Sequence, residues 1–301
     1  MEHQETLVEI KKPPSMGFVF IKALLIAPFC SNTITDDRII KKTRIILKAY
    51  LPDKERIKNY RTVCGFSNDR PEVIPISYLQ TLFISILGKF ITSPFFPINP
   101  LGLIHTFQSF DQKRSVTTDE RLDLACTLDS IRKTQKGIET GFRMEVLSQG
   151  KLVWQGISVF FTRNPVKQKK TDSQKDEYCL DKKETILVPA GTGRKYARVS
   201  GDYNPHHLYT VFARLFGFKR AIAHGMWSLA RVVASLDRAF GIHDSAFVEA
   251  SFKLPVFMPA KTTLGYEYQD DPENNQTIVN FELRDKPKGL PHIKGRLLKT
   301  K

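Results

Sequence analysis

The sequence predicts an α+β protein built twice from the same plan, an antiparallel meander wrapped around one long apolar helix. Three observations lead to this. YRTVCGFSND, from Tyr60, aligns without gaps on YARVSGDYNP, from Tyr196, 136 positions downstream, so that Tyr60, Val63, Gly65 and Asn68 fall on Tyr196, Val199, Gly201 and Asn204. Each copy leads into a stretch with helical periodicity, ISYLQTLFISILGKFI in the first half and HGMWSLARVVASLDRAF in the second. Each half then ends in alternating segments separated by turn residues, as half-buried strands require.

Composition bounds the rest. A chain of 301 residues with 41% hydrophobic residues is long enough to bury one large core or two ordinary ones. Cys30, Cys64, Cys126 and Cys179 are scattered, with no C-x-x-C pair, so neither a disulfide framework nor a zinc site is indicated and a reducing cytoplasm is expected. The net charge of +15 suits an acidic partner, whether nucleic acid, an anionic surface or a phosphorylated ligand, but no nucleic-acid module accompanies it. Most of the basic residues are therefore expected on a solvated surface.

In chain order, a polar start gives way to MGFVFIKALLIAPFC, residues 16–30, which is too short for a bilayer span and contains Lys22 and Pro28. It is expected to pack on the domain that follows, without membrane insertion. Residues 31–59, including Arg44 to Leu51, are ambiguous. After the first repeat copy and its helix, LGLIHTFQSF reads as a strand, followed by Leu122 to Ile131, Thr140 to Leu147 and Leu152 to Thr162. His105 on the first of these strands reads as a core or surface histidine, not a ligand. Charged residues 164–185 mark a linker, which places an N-terminal domain at 1–163 and a C-terminal domain at 186–301. In the second half the strands are AFVEASFKLPVF, Thr263 to Tyr268, Thr277 to Leu283 and Ile293 to Leu298. Gly191-Thr192-Gly193 lacks the third glycine of a nucleotide fingerprint and reads as a turn.

Chemistry concentrates in the second repeat copy. Ser200, Gly201, Asp202, Asn204 and Pro205 are turn formers, so YARVSGDYNPHH is expected to be an irregular loop. Asp202 and His207, five residues apart on a kinked loop, can converge on one water molecule, with Asn204 holding the loop or the water. Such a pair suits addition of water to an enoyl thioester or the reverse dehydration, with the acid and base roles divided between them. Negative charge develops on the thioester oxygen, and the N–H of Gly225, at the expected helix start, is placed to receive it. The plainer reading of Gly225 is tight packing of helix on sheet. In the first copy Cys64 replaces Ser200 and Phe66 stands where Asp202 would be, so that half lacks the chemical groups.

The run YARVSGDYNPHHLYTVFARLFGFKRAIAHGMW, with FKLPVFMP after it, closely resembles the hydratase motif of the MaoC-like family of (R)-specific enoyl-CoA hydratases and 3-hydroxyacyl dehydratases. The resemblance implies a tandem hotdog fold with a degenerate N-terminal hotdog that accommodates the acyl chain. It implies Asp202 and His207 as the catalytic pair, Asn204 as the motif asparagine, Gly225 as the oxyanion amide and Phe66 as an acyl-pocket residue. No metal and no cofactor are implied beyond the coenzyme A or acyl-carrier phosphopantetheine of the substrate. His206 departs from the family's usual aliphatic residue and adds a second imidazole. The expected activity is a hydro-lyase of fatty-acid metabolism acting on CoA esters. The alternatives are a dehydratase acting on acyl carrier protein, or a non-catalytic acyl-thioester-binding hotdog; a hotdog thioesterase would not need the motif. A homo-oligomer is compatible with the sequence.

Overall fold

The computed structural model describes residues 6–30, 43–93, 96, 98–163, 180–242 and 244–300. In the first half the elements are β1 (Thr6–Ile10), α1 (Met16–Ile26), β2 (Thr43–Tyr50), α2 (Lys54–Cys64), α3 (Ile84–Ile91), β3 (Ile104–Gln112), β4 (Leu122–Thr134), β5 (Gly137–Ser148) and β6 (Lys151–Arg163). The second half contains β7 (Lys182–Val188), α4 (Thr192–Ser200), α5 (Pro205–Leu208), α6 (Thr210–Leu215), α7 (Gly225–Phe240), β8 (Ala246–Phe252), β9 (Ala260–Asp271), β10 (Gln276–Asp285) and β11 (Pro291–Thr300).

All the strands join one sheet in the order β1-β2-β4-β5-β6-β3-β8-β11-β10-β9-β7. Apart from β1, the order repeats. In the first half it runs β2-β4-β5-β6-β3 and in the second β7-β9-β10-β11-β8, so each half places its second strand beside its last. The halves meet where β3 pairs antiparallel with β8, with Phe107 opposite Ser251 and Phe110 opposite Val248. This sequence-distant pairing fuses two hotdog sheets and buries the edge strand of each. β1 adds a parallel strand to β2, which the sequence did not predict.

The repeat is visible in three dimensions. Both copies end a helix with a left-handed glycine cap, Gly65 at φ 76° and Gly201 at φ 87°, a conformation that glycine adopts without steric cost. The matching Tyr60 and Tyr196 are both fully buried, with ring centroids 6.0 Å apart across the join. Each helix end is tied to the other half. Arg56 Nε donates to the Val199 carbonyl (2.7 Å), while Arg231 and Arg238 donate to the Cys64 and Gly65 carbonyls (3.1 and 2.8 Å). Cations there satisfy carbonyls that lack intrahelical partners and offset the negative end of the helix dipole.

Three expectations need correction. YARVSGDYNPHH is not irregular throughout: Tyr196–Ser200 close helix α4, residues 201–204 form the bend, and Pro205 opens the short helix α5 with its fixed φ. The predicted linker lies outside the described residues through 179. Its last four residues, Lys182 to Thr185, belong to edge strand β7, paired with β9, because Lys and Glu are tolerated on a sheet edge. The first apolar helix of the repeat plan is split into a 3₁₀ segment, Leu79–Phe83, and α3. Residues 16–26 do form a helix against α3, where Val19 fills the space left open by Gly88. The contact is narrow: Val19 and Ala23 are buried, whereas Phe18, Ile21, Leu25 and Phe29 are exposed. Among the described residues, no helix is long and apolar enough to cross a membrane.

Candidate active site

The site lies where the bend after α4, helix α5 and the N-terminus of α7 meet. The carboxylate of Asp202 and the imidazoles of His207 and His224 each present an atom within 4.8 Å of the others. The fold therefore converges Asp202 and His207 as their spacing allows, and it adds His224, the N-cap of α7, which sequence reasoning had treated only as part of the helix-start motif. Its signal was available, since a histidine directly before a helix-opening glycine is held at the helix mouth.

Asn204 fixes the carboxylate. Its backbone N–H and its Nδ2 both donate to Asp202 Oδ1, at 3.2 and 2.8 Å. His224 Nε2 donates to the Asp202 carbonyl (3.0 Å) and lies 3.9 Å from Oδ2. One side of Asp202 is thus held by its own loop and the other by the helix mouth.

The tautomer of His207 follows from its partners. Nδ1 lies 2.9 Å from the Ile222 carbonyl, which can only accept, so Nδ1 carries the proton and Nε2 carries the lone pair. Burial, with His224 and His206 alongside, pushes its pKa well below the ordinary imidazole value, so the ring is neutral at physiological pH. Burial likewise pushes His224 down to about 3. His207 Nε2 is therefore left as an acceptor. His206 reaches the same nitrogen: its Nε2 donates to His207 Nε2 at 3.0 Å, with its ring set against Phe216 and Phe218. In this arrangement His206 caps the nitrogen that a base would use.

Gly225 is the first residue of α7, so its N–H has no intrahelical acceptor. A Cβ at this position would stand 3.1 Å from the ring of Phe252 on β8, so the glycine also permits close approach of helix to sheet. The packing reading of Gly225 is met by this close approach. Gly193, dismissed as a turn residue, sits in α4 directly beneath the His207 carbonyl, where a Cβ would overlap the backbone. Phe66 packs away from this cluster's histidines, buried and stacked on Tyr60 with centroids 6.2 Å apart.

A carboxylate and two imidazoles at this spacing also form a donor set that a divalent ion can accept. His224 already spends Nε2 on a carbonyl, which leaves Nδ1, His207 Nε2 and the carboxylate as the atoms available to a metal. Acid/base work uses the last two without one.

The model of the MaoC-like domain matches residues 170–286. The chain is 26% identical over 244 residues to the 3-hydroxyacyl-thioester dehydratase X of Mycobacterium tuberculosis, covering 80% of this chain and 84% of that protein. It is 35% identical over 74 residues to the (R)-specific enoyl-CoA hydratase of Aeromonas caviae, covering 24% of this chain and 55% of the other. The crystal structure of HtdX from Mycobacterium tuberculosis superposes with a TM-score of 0.70 at 23% identity, covering 84% of this chain and 98% of that one. A further Mycobacterium tuberculosis protein, described as a double hotdog, superposes with a TM-score of 0.54 at 10% identity, over 84% of this chain and 94% of that one. The chain has the double-hotdog fold, and residues 170–286, in its C-terminal half, match the MaoC-like domain.

Proposed function

We propose that the C-terminal site catalyses the reversible hydration of trans-2-enoyl thioesters to (R)-3-hydroxyacyl thioesters, with coenzyme A as the thiol. The observation that carries this reading is the meeting of the Asp202 carboxylate and the His207 lone pair at the mouth of a helix that opens with glycine. In the hydration direction, the Asp202 carboxylate and His207 Nε2 together hold one water molecule. As its oxygen bonds to C3 of the enoyl group, the pair removes one proton; electron density moves to the thioester oxygen, which the Gly225 N–H receives. Collapse of the enolate takes the proton onto C2, so one water has been added and no redox partner is needed. Asn204 positions the carboxylate, and His206 must swing away from His207 Nε2 before water can bind there.

The names of the two relatives, a thioester dehydratase and an enoyl-CoA hydratase, support the reaction class. A cleft of about 490 Å³ lined in part by Arg220, Lys261 and Lys286, with Asp285 as the one acidic residue of its lining, adjoins the segment that carries Ile222, and its surplus of positive charge supports an anionic ligand such as the phosphates of coenzyme A. Neither Asp202 nor His207 lines it, so it is a flanking feature and not the reaction centre. The same positive charge suits an acidic acyl carrier protein, the second reading. Phe66 remains our proposed determinant of acyl-chain length, since by the repeat it stands in the place of Asp202. The free thiols of Cys30, Cys64 and Cys126 support a reducing, cytoplasmic setting.

The test is incubation of the purified chain with crotonyl-CoA and longer enoyl-CoAs, following the loss of enoyl absorbance. Turnover confined to carrier-protein thioesters would favour the second reading, and binding without turnover would favour a non-catalytic hotdog.

A further inference from the structure

Helix α1 has Lys22 as its one charged residue and is apolar on every side, the composition of a helix that is buried all round. The fold buries only one side of it. Val19 and Ala23 are buried, with Val19 against Gly88 of α3, while Phe18 and Leu25 are each 67% exposed and Phe29, just past the helix, is 89% exposed. Ile21 and Leu24 are exposed with them. Phe18, Ile21 and Leu25 follow helical spacing, so they form one continuous outer face away from α3. Large apolar side chains clustered in this way mark a surface that meets something.

Both ends of the helix are fixed to the body. β1, which precedes it, pairs with β2 along Thr6 to Ile10, and Asn99 Nδ2 donates to the Ala27 carbonyl at the far end (3.0 Å). A free helix lying in a membrane interface needs a polar face of its own, whereas here the protein covers the inner face and leaves only the outer one to be buried.

Charge selects the occupant. Between residues 10 and 30 there are Lys11, Lys12 and Lys22 and no acidic residue, and Lys89 is exposed on α3 beneath. Lys22, four positions after Phe18, is half-buried, so its stem lies along the apolar surface while its ammonium can reach outward. A second copy of the chain, itself at +15, would bring like charge to this face. An anionic lipid layer offers the opposite charge above an apolar interior.

We propose that the outer face of α1 seats the protein on an anionic lipid surface, with Phe18, Leu25 and Phe29 at the acyl boundary and Lys11, Lys12 and Lys22 among the headgroups. The helix lies along the surface and is too short to cross it. This docking is independent of the chemistry at the C-terminal site.

The test is co-sedimentation of the full chain with vesicles of phosphatidylcholine alone and of phosphatidylcholine mixed with phosphatidylglycerol. The parent should bind the mixed vesicles at least about tenfold more tightly than the neutral ones. The triple variant Phe18→Ser, Leu25→Ser, Phe29→Ser keeps every charge and alters only exposed side chains. It should bind mixed vesicles at least about tenfold more weakly, with an unchanged melting temperature. Undiminished binding by that variant would overturn the proposal, because the charge of the whole chain would then suffice. A parent that binds neither kind of vesicle, or both equally, would overturn it too. A parent that is a dimer without vesicles and a triple variant that is a monomer would assign the face to a second copy instead. Should the triple variant fail to fold, Lys11→Glu with Lys12→Glu should cost about tenfold in binding, and more than the same reversal at the exposed Lys136 and Lys151. Equal losses from the two reversals would overturn the proposal.

Discussion

Asp202 is tethered by Asn204 on one side and His224 on the other, and His207 is oriented by the Ile222 carbonyl, so each of the two proposed reacting groups depends on a neighbour for its aim. Asp202→Ala and His207→Ala should each lower turnover by about two to four orders of magnitude, the usual loss for a positioned acid or base. If the pair acts on one water, the double variant is little worse than either single variant; multiplicative losses in the same assay would assign the two residues to separate steps. His206 is different. Its N–H occupies the lone pair that water must reach, so His206→Leu should leave kcat/KM within about threefold of the parent, or raise it. A loss equal to that of His207→Ala would show the imidazole roles to be reversed. Treatment with a chelator should leave turnover unchanged, and activity restored by adding back a divalent ion would make the carboxylate and imidazoles a metal centre.

At the scale of the elements, α4 is pressed so closely under α5 that position 193 has no room for a side chain. Gly193→Ala should shift the His207 backbone and lower both turnover and melting temperature, whereas Gly150→Ala, at a turn with open space around it, should cost only the strain of its positive φ. Phe66→Ala, in a chain shown to be folded, should alter relative rates for long and short enoyl-CoAs several-fold; an unchanged profile would leave Phe66 as core packing against Tyr60. Much of this was legible in the sequence. Alternation announced the long strands, apolar periodicity announced α7, and the gapless repeat announced the twofold plan, since Gly65 and Gly201 mark the same left-handed cap. The clearance under Gly193 and the role of His224 were not legible, because both depend on α4, α5 and α7 meeting in space. The aromatic surroundings of His105 were not legible for the same reason: its neighbour Phe252 is brought beside it only by the β3–β8 pairing.

Across the whole molecule, five imidazoles, His105, His206, His207, His224 and His292, have their pKa values lowered chiefly by burial, His105 to about 4 and His224 to about 3. In the unfolded chain each returns to about 6.5. Between the folded and unfolded values, the unfolded chain binds more protons, so acid favours unfolding there. The stability these residues contribute is complete above about pH 6.5 and is lost as pH falls toward about 3. Melting temperatures should therefore be flat from about pH 7 to 8 and decline from about pH 6 downward. Glu120, held at about 2 mainly by Arg114, adds its loss only below the ordinary carboxylate range, so a decline that begins near pH 4 would assign acid lability to carboxylates instead.

On the proposed reading, one fused pair of hotdogs carries a single hydrating site, in its C-terminal half. The most direct measurement is the configuration of the product formed from crotonyl-CoA by the full chain and by its Asp202→Ala variant. We expect (R)-3-hydroxybutyryl-CoA from the parent and at least about a hundredfold slower formation by the variant. A parent that forms the (S) product, or a variant as fast as the parent, would contradict it.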